Sequence, residues 1–455
     1  MESFLIKAAQ LIAAFALLVI IHEFGHYIFA RIFGIKVEKF YMFFDPWFSL
    51  IKFKPKKKKP KYDKDGNEKA SWRDTEYGIG WIPLGGYVKI AGMIDESMDK
   101  EQMAKPAQPW EFRSKPAYQR LLVMVAGVLM NFVLAILIYA GIAFHWGEKY
   151  IPYDQAYEGM EFAPAAIKAG FRNGDIPLLA DGKKIDVADS NHLIDMVEAD
   201  TITVLRNHTD YVNIAIPDNF IFRVNDDKGF FTYRLPVVVG NLVNGEPAIK
   251  SGLQVGDKII SIDSVPTRAY SEFTAELARK GGKEVVMGIE RDGKHMNIDI
   301  TPTEGGKIGI QLKPITEIYP VEVRNYSLLQ SIPKGWEMGT DRLSSYVGSM
   351  KYVATAEGAK SLGGFGAIGS LFPEKWNWLS FWEITAFLSV ALAFMNILPI
   401  PALDGGHIMF LFYEIITRRK PSEKFMEYAQ IAGMCFLFLL LIYANGNDLY
   451  RFFLK

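Results

Sequence analysis

The segment LLVIIHEFGHYIFARIFG (Leu17–Gly34) contains two histidines and a glutamate, His22, His26 and Glu23, among residues that are almost all suited to lipid. An isolated charged side chain at the middle of a bilayer costs roughly 2.5–3.5 kcal/mol, so such groups need a partner there. On a helix the two histidines lie one turn apart on the same face, and the glutamate projects about 100° from the first of them. Two imidazoles at this spacing beside a glutamate are typical of a zinc site with its general acid and base. The segment therefore predicts a metal site within a membrane span; the alternative is a helix end whose histidines face lipid headgroups.

The third metal ligand is expected from NILPIPALDGGH (Asn396–His407), which lies in another apolar block. Pro399 and Pro401 interrupt the helix there, and broken backbone at membrane depth is tolerated only where it lines a cavity or is covered by protein. Asp404 needs a partner in this apolar setting, and a carboxylate completes the two-histidine, one-carboxylate ligand set of metalloproteases. His407 is a rival third ligand, and with Asp404 in place it would support the site from outside the ligand set.

The apolar residues are concentrated in blocks that approach or exceed the length needed to cross a bilayer. Half of the 455 residues are hydrophobic, and four blocks stand out: Phe4–Phe33, Leu121–Trp146, Phe381–Ile416 and Phe425–Tyr443. A signal peptide is an alternative for the first block, but the apolar run continues past the charged motif without a small-residue cleavage site. The sequence therefore predicts a membrane protein with four spans.

The basic residues predict how the spans are oriented. The loops Lys52–Lys64 and Thr417–Lys424 are rich in lysine and arginine, and short loops of this kind stay in the cytoplasm. With four spans both loops fall on one side, so the polar stretch Gly147–Ser380 is predicted on the other. Basic and acidic residues are equal in number, at 51 each, which gives no support for nucleic-acid binding. A single cysteine, Cys435, excludes an internal disulfide.

The polar stretch contains a repeat. AIKAGFRNGD (Ala166–Asp175) recurs 82 residues later as AIKSGLQVGD (Ala248–Asp257), and six of the ten positions are identical. Each copy follows a proline and precedes an apolar run with a turn, which favours two small β-rich domains. The pattern resembles the PDZ domains of bacterial envelope proteases, which commonly bind peptides by adding them as a strand to a sheet edge. The alternative is a pair of modules that only cover or space the membrane site.

HEFGH in the first span together with NILPIPALDGGH in a late span resembles the site-2 protease family of intramembrane zinc metalloproteases. Four spans with two PDZ-like domains between the second and third are similar to its regulator-of-sigma-E protease branch. The resemblance implies that His22, His26 and Asp404 bind one zinc ion and that Glu23 is the catalytic acid and base. It also implies a substrate-handling role for Asn396, whose alternative role is a hydrogen bond that holds the broken helix.

YGIGWIPLGGYVKIAG (Tyr77–Gly92) resembles the membrane re-entrant β-hairpin of the same branch. Gly85 and Gly86 are predicted to form its turn, between flanking residues that are apolar and β-prone. The edge of such a hairpin could pair with an unwound substrate, which makes these two glycines candidate substrate-binding residues. The alternative is a simple cytoplasmic hairpin.

Together these features predict an α-helical multi-span membrane protein, with four transmembrane helices, a re-entrant β-hairpin and two inserted β-rich PDZ-like domains. An N-terminal membrane half is predicted over residues 1–147, with PDZ-like domains at 148–240 and 241–318. A C-terminal membrane half, residues 319–455, would contain an amphipathic linker helix, the span with the Leu403-Asp404-Gly405 motif and the last span.

The predicted function is hydrolysis of a peptide bond within or near a transmembrane segment. By resemblance, the substrates are single-span proteins already trimmed by another protease, such as anti-sigma factors, or remnant signal peptides. The chain would lie in the bacterial inner membrane with its PDZ-like domains in the periplasm, where they would exclude bulky untrimmed proteins. A non-enzymatic scaffold is disfavoured because a bracing metal needs no base such as Glu23, and a transporter because inverted repeats are lacking.

Overall fold

The protein is described from a computed structural model that covers residues 2–56, 70–93, 106–189, 192–227, 229–353 and 363–454. The chain forms two compact units, one made of Met1–Trp146 with Asn325–Lys455 and the other of Gly147–Arg324. The first is called the membrane unit and the second the inserted unit. Part of the basic loop predicted at Lys52–Lys64 lies outside the described residues.

The helices and strands are numbered in chain order. The helices are α1 Glu2–Ile32, α2 Ala117–Trp146, α3 Pro164–Ala169, α4 His192–Glu198, α5 Phe220–Asp226, α6 Pro247–Lys250, α7 Tyr270–Arg279, α8 Ile315–Ile318, α9 Leu328–Val353, α10 Phe365–Ser370, α11 Trp378–Ile397, α12 Asp404–Thr417 and α13 Glu423–Leu454. The strands are β1 Val37–Phe44, β2 Ile51–Phe53, β3 Glu76–Ile79, β4 Ile82–Ile90, β5 Glu148–Tyr150, β6 Met160–Phe162, β7 Ile176–Ala180, β8 Lys183–Lys184, β9 Thr201–Arg206, β10 Asp210–Ala215, β11 Phe231–Tyr233, β12 Val237–Leu242, β13 Lys258–Ile262, β14 Val265–Pro266, β15 Val285–Arg291, β16 Lys294–Ile300, β17 Ile310–Leu312 and β18 Glu322–Arg324.

Four helices of the described chain are long and apolar enough to cross a membrane: α1, α2, α11 and the Lys424–Tyr450 part of α13. The prediction of four spans is therefore confirmed. Helix α2 is central, because it packs against α1, α9, α11 and α12. Helix α1 approaches it closely, since a Cβ on Gly25 would come within 2.7 Å of the Ala126 carbonyl carbon.

The third apolar block is broken as its prolines predict. Helix α11 ends at Ile397 and α12 begins at Asp404. Asp404 therefore lies outside the spanning helix and is the first residue of the next one. The bend between them contains Ala402 with a φ of 78°, and its N–H donates to Gln430 Oε1 of α13 at 3.2 Å. The apolar block is thus a spanning helix, a bend and a shorter helix.

The predicted hairpin is part of a four-stranded sheet with the order β2-β3-β1-β4. Strand β1 runs antiparallel to β4 and parallel to β3. The predicted turn at Gly85 and Gly86 is wrong, since both residues lie inside β4. The reason for glycine there is close packing: a Cβ on Gly86 would lie 2.8 Å from Val19 Cγ1 of α1, and one on Gly85 would lie 2.6 Å from the Phe44 ring.

The inserted unit has two hydrophobic cores. The first is built around Phe171, Phe220 and Phe230 beside the sheet β10-β9-β7-β8. The second lies against the sheet β16-β15-β13-β12-β17 and includes Val237 and Val239. Strand β12 therefore packs with the second core, and a division into two domains between residues 240 and 241 stays a prediction.

The sequence repeat corresponds to a repeated ion-pair network. Asp175 is bound by Arg206 through two nitrogens, at 2.9 and 2.7 Å, and the same arginine donates to the Gly170 carbonyl. Asp257 and Arg291 form the equivalent pair in the second module, with both distances at 2.6 Å and a further bond to the Gly252 carbonyl. Both aspartates are buried, so the shared Gly-Asp sequence builds a charge-assisted clamp in each module.

Candidate metal centre

Three predicted ligands from distant parts of the sequence meet in the membrane unit. Asp404 Oδ2 lies 3.1 Å from His22 Nε2 and 3.2 Å from His26 Nε2, and the two imidazole nitrogens are 3.3 Å apart. Both histidines are buried, and the aspartate side chain is nearly so. The three atoms form a small triangle inside the protein.

The triangle fits a tetrahedral zinc ion. Zinc–ligand bonds of about 2.0–2.1 Å imply ligand atoms about 3.3–3.4 Å apart, close to the three distances found here. The ligand types also agree, and Asp404 Oδ2 is a buried oxygen without a hydrogen-bond donor among the described residues. A cation would satisfy that oxygen and both imidazole lone pairs at once.

Three helices position the ligands. The spacing of four residues places both histidines on one face of α1, and the proline-broken bend brings Asp404 to them as the first residue of α12. Helix α2 packs against the histidines from the side, with His26 Nδ1 2.8 Å from the carbonyl oxygen of Val123. A carbonyl can only accept, so His26 Nδ1 carries the proton and Nε2 is left to bind a metal.

Glu23 lies beside the ligand triangle and outside it, as its place on the helix predicts. It is partly exposed and lines a cavity together with Val88 of β4. The proposed base therefore lies beside the sheet that forms one wall of the site.

The ligands and Glu23 open into a cavity of about 860 Å³. Strand β4 supplies one wall, with Gly86, Tyr87 and Val88, and the sheet also contributes Lys39 and Lys89. The cavity is large enough for several residues of an extended peptide, and it combines apolar walls with a few charged groups.

The other predicted site residues have different outcomes. His407 lines the same cavity but does not belong to the ligand triangle, which is the metal-binding cluster found in the described residues. Gly86 lines the cavity. Gly85 packs against Phe44, and Asn396 lies near the end of α11, half-buried; neither is among the residues that line the cavity.

Two residues of α2 belong to the site and were not assigned to it from the sequence. The side-chain amide nitrogen of Asn131 lies 3.2 Å from His22 Nδ1, and a Cβ on Gly127 would collide with both imidazoles. The available signal was a polar residue in the middle of an apolar span, which shows that a partner exists but not which one.

Comparison with known proteins identifies the family of the chain. The sequence model of peptidase family M50 matches residues 10–63 and 68–440 of this chain. The regulator of sigma-E protease RseP of Escherichia coli is 28% identical over 99% of this chain and 100% of its own length. The corresponding protein of Haemophilus influenzae is 27% identical over 99% and 100%.

Two further similarities come from other proteins. A Neisseria meningitidis protein whose name describes a zinc metalloprotease is 26% identical over 97% of this chain and 98% of its own. Among solved structures, the PDZ domain of the SdrC-like protein from Listeria monocytogenes covers 19% of this chain and 94% of its own at 26% identity, with a TM-score of 0.16. The chain belongs to peptidase family M50 and is an intramembrane zinc metalloprotease.

Proposed function

We propose that His22, His26 and Asp404 hold one zinc ion and that Glu23 is the general acid and base of peptide hydrolysis. The observation that carries the proposal is the triangle of Nε2, Nε2 and Oδ2 atoms with edges of 3.1–3.3 Å. A structural metal site would not need a carboxylate beside the ligands. Glu23 supplies such a carboxylate, and it lines the same cavity as the three ligands.

The residues divide the chemistry between them. A zinc ion bound there supplies Lewis acidity, which polarises the scissile carbonyl and makes water more acidic. The Glu23 carboxylate takes the proton from the attacking water and delivers it to the leaving amide nitrogen. Glu23 lines the same cavity as the three ligands, so its carboxylate is available for this transfer.

The sheet gives a way to present the substrate. A peptide carbonyl within a helix is already hydrogen-bonded and shielded, so the scissile segment has to unwind. Strand β4 is an edge of the sheet and forms a wall of the cavity, so its backbone can pair with an extended substrate in place of the lost helical bonds. Gly86 keeps this wall against α1, and a substrate contact for Gly85 or Asn396 stays a prediction.

The proposed substrates are single-span membrane proteins already shortened by another protease. The basic loops would face the cytoplasm and the inserted unit the periplasm, where its two modules would exclude proteins with large folded parts and could bind peptide ends. Anti-sigma factors fit this class, as the relatives named regulators of sigma-E protease suggest, and remnant signal peptides fit it as well.

The test uses the full-length protein purified in detergent and a model transmembrane peptide. Wild type and Glu23→Gln should each bind about one zinc per chain, and cleavage should fall by about 10²–10⁴-fold in the variant. Asp404→Asn should lose the metal. Glu374→Gln is the matched control, because this glutamate is exposed and lies 3.6 Å from Lys7. Undiminished cleavage by Glu23→Gln would remove the proposed base.

A further inference from the structure

One face of α2 lies against the two histidines. Val123, Gly127 and Asn131 are four residues apart, so they form a single stripe along the helix. The Val123 carbonyl meets His26 Nδ1 at 2.8 Å, and the Asn131 amide meets His22 Nδ1 at 3.2 Å. The helices are antiparallel at this crossing, and each histidine has its own partner on α2.

The bond at His26 shows what His22 requires. A neutral imidazole binds a metal through one nitrogen only when the other nitrogen carries the proton. At His26 the Val123 carbonyl fixes this state. For His22 to bind through Nε2, its Nδ1 must likewise donate to an acceptor.

Asn131 has such an acceptor. The residue is completely buried, and across the described chain its Oδ1 has no hydrogen-bond partner. Rotating the side-chain amide of Asn131 by 180° exchanges Nδ2 and Oδ1 with almost no change in shape. The rotation places the oxygen at His22 Nδ1. Ser389 of α11 donates to the Asn131 backbone carbonyl at 2.7 Å and so holds this turn of α2 in place.

We infer that Asn131 is a positioning residue whose Oδ1 accepts from His22 Nδ1–H and so presents His22 Nε2 to the metal. The inference rests on the proposed zinc site. Partners of this kind outside the ligand set typically change metal affinity by about 10–100-fold when they are removed.

The experiment measures the zinc dissociation constant of the full-length protein in detergent, by competition with a chelator. Asn131→Leu keeps the approximate size and removes the acceptor, so zinc binding should weaken by about 10–100-fold. Asn131→Asp keeps an acceptor and should stay within about threefold of wild type, since carboxylate–histidine–zinc triads are common. Cobalt absorption spectra should change in the leucine variant and not in the aspartate variant.

Gln10→Leu is the matched control. Gln10, in α1, also has a completely buried side-chain amide. Its Nε2 donates to the Pro373 carbonyl at 2.9 Å, and the residue does not belong to the ligand triangle. This variant should lower the thermal unfolding midpoint and leave zinc affinity unchanged. If Asn131→Leu does not fold, Asn131→Ala replaces it with the same expectation.

The outcomes separate the two proposals. A wild type that binds no zinc overturns the proposed site itself. A wild type that binds zinc no more tightly than Asn131→Leu overturns the positioning role. An equal loss of affinity in Asn131→Leu and Gln10→Leu also overturns it, because that result indicates general loosening of the helices.

Discussion

Replacing Gly127 with alanine adds one methyl group where α2 meets the proposed histidine ligands. The new Cβ would lie 2.6 Å from His26 Cε1 and 2.9 Å from His22 Cε1, and it would also collide with His26 Nε2. Non-bonded carbons pack at about 3.5 Å or more, so the rings would have to move by about 0.6–0.9 Å, or the helices separate. Zinc sites accept ligand displacements of about 0.2 Å. The required movement is several times larger.

We therefore expect Gly127→Ala to bind zinc weakly and to lose about 100-fold or more in cleavage rate, as ligand displacements near 1 Å do elsewhere. Zinc content after dialysis and cleavage of a model transmembrane peptide would be measured on the full-length protein. Gly141→Ala is the control on the same helix, because its Cβ would meet nothing within 4 Å. Both changes gain similar helix propensity, about 1 kcal/mol, so a difference between them reports the collision.

A Gly127→Ala protein with normal zinc content and normal cleavage would refute this reasoning. It would show that α2 does not touch the imidazoles in the working enzyme. Loss of zinc in both alanine variants would also count against it, because Gly141 lies far along α2 from the stripe that faces the histidines.

Two further outcomes are expected. In the inserted unit, burial disfavours the charged form of Asp257, but its bonds with Arg291 outweigh this and hold its pKa below the ordinary value. Asp257→Asn should therefore lower the thermal unfolding midpoint of the fragment Gly147–Arg324 at pH 7. The difference in midpoint from wild type should shrink below about pH 4, because the wild-type carboxylate becomes protonated there. A difference that persists at low pH would contradict a stabilising role for the Asp257–Arg291 pair. In the membrane unit, Gln430→Leu removes the acceptor of the Ala402 N–H and should lower the free energy of unfolding by about 1–3 kcal/mol. The measurement is the thermal unfolding midpoint in detergent, which should fall. An unchanged midpoint would show that the bend does not need this hydrogen bond.

The sequence was sufficient for the spans and the ligand triangle because both follow from the cost of polar groups in lipid. His22, His26 and Asp404 lie in apolar blocks where ionisable side chains need partners, so a shared cation was the predicted partner. The structure places the Nε2, Nε2 and Oδ2 atoms 3.1–3.3 Å from one another. The break before Asp404 was equally predictable, because prolines at 399 and 401 cannot continue a helix.

The sheet was predicted less well because a strand pattern does not reveal which strands pair. Two adjacent glycines between apolar runs indicate a turn, but Gly85 and Gly86 are glycine because Phe44 and Val19 approach their backbone. The parallel pairing of β1 with β3 joins residues that a hairpin would not bring together. Both facts depend on tertiary contacts with α1 and on neighbouring strands.

Helix α2 also meets a requirement of the proposed histidine ligands. In hydrocarbon no water can accept the second N–H of a ligating histidine, so the protein has to supply each acceptor. A helical carbonyl is normally covered by the side chain four residues later, and the residue four after Val123 is Gly127. One glycine therefore exposes the acceptor for His26 and makes room for both rings. In the proposed zinc site, α1 and α12 supply the ligands, and α2 supplies the acceptor for His26 Nδ1 and the space for both imidazole rings.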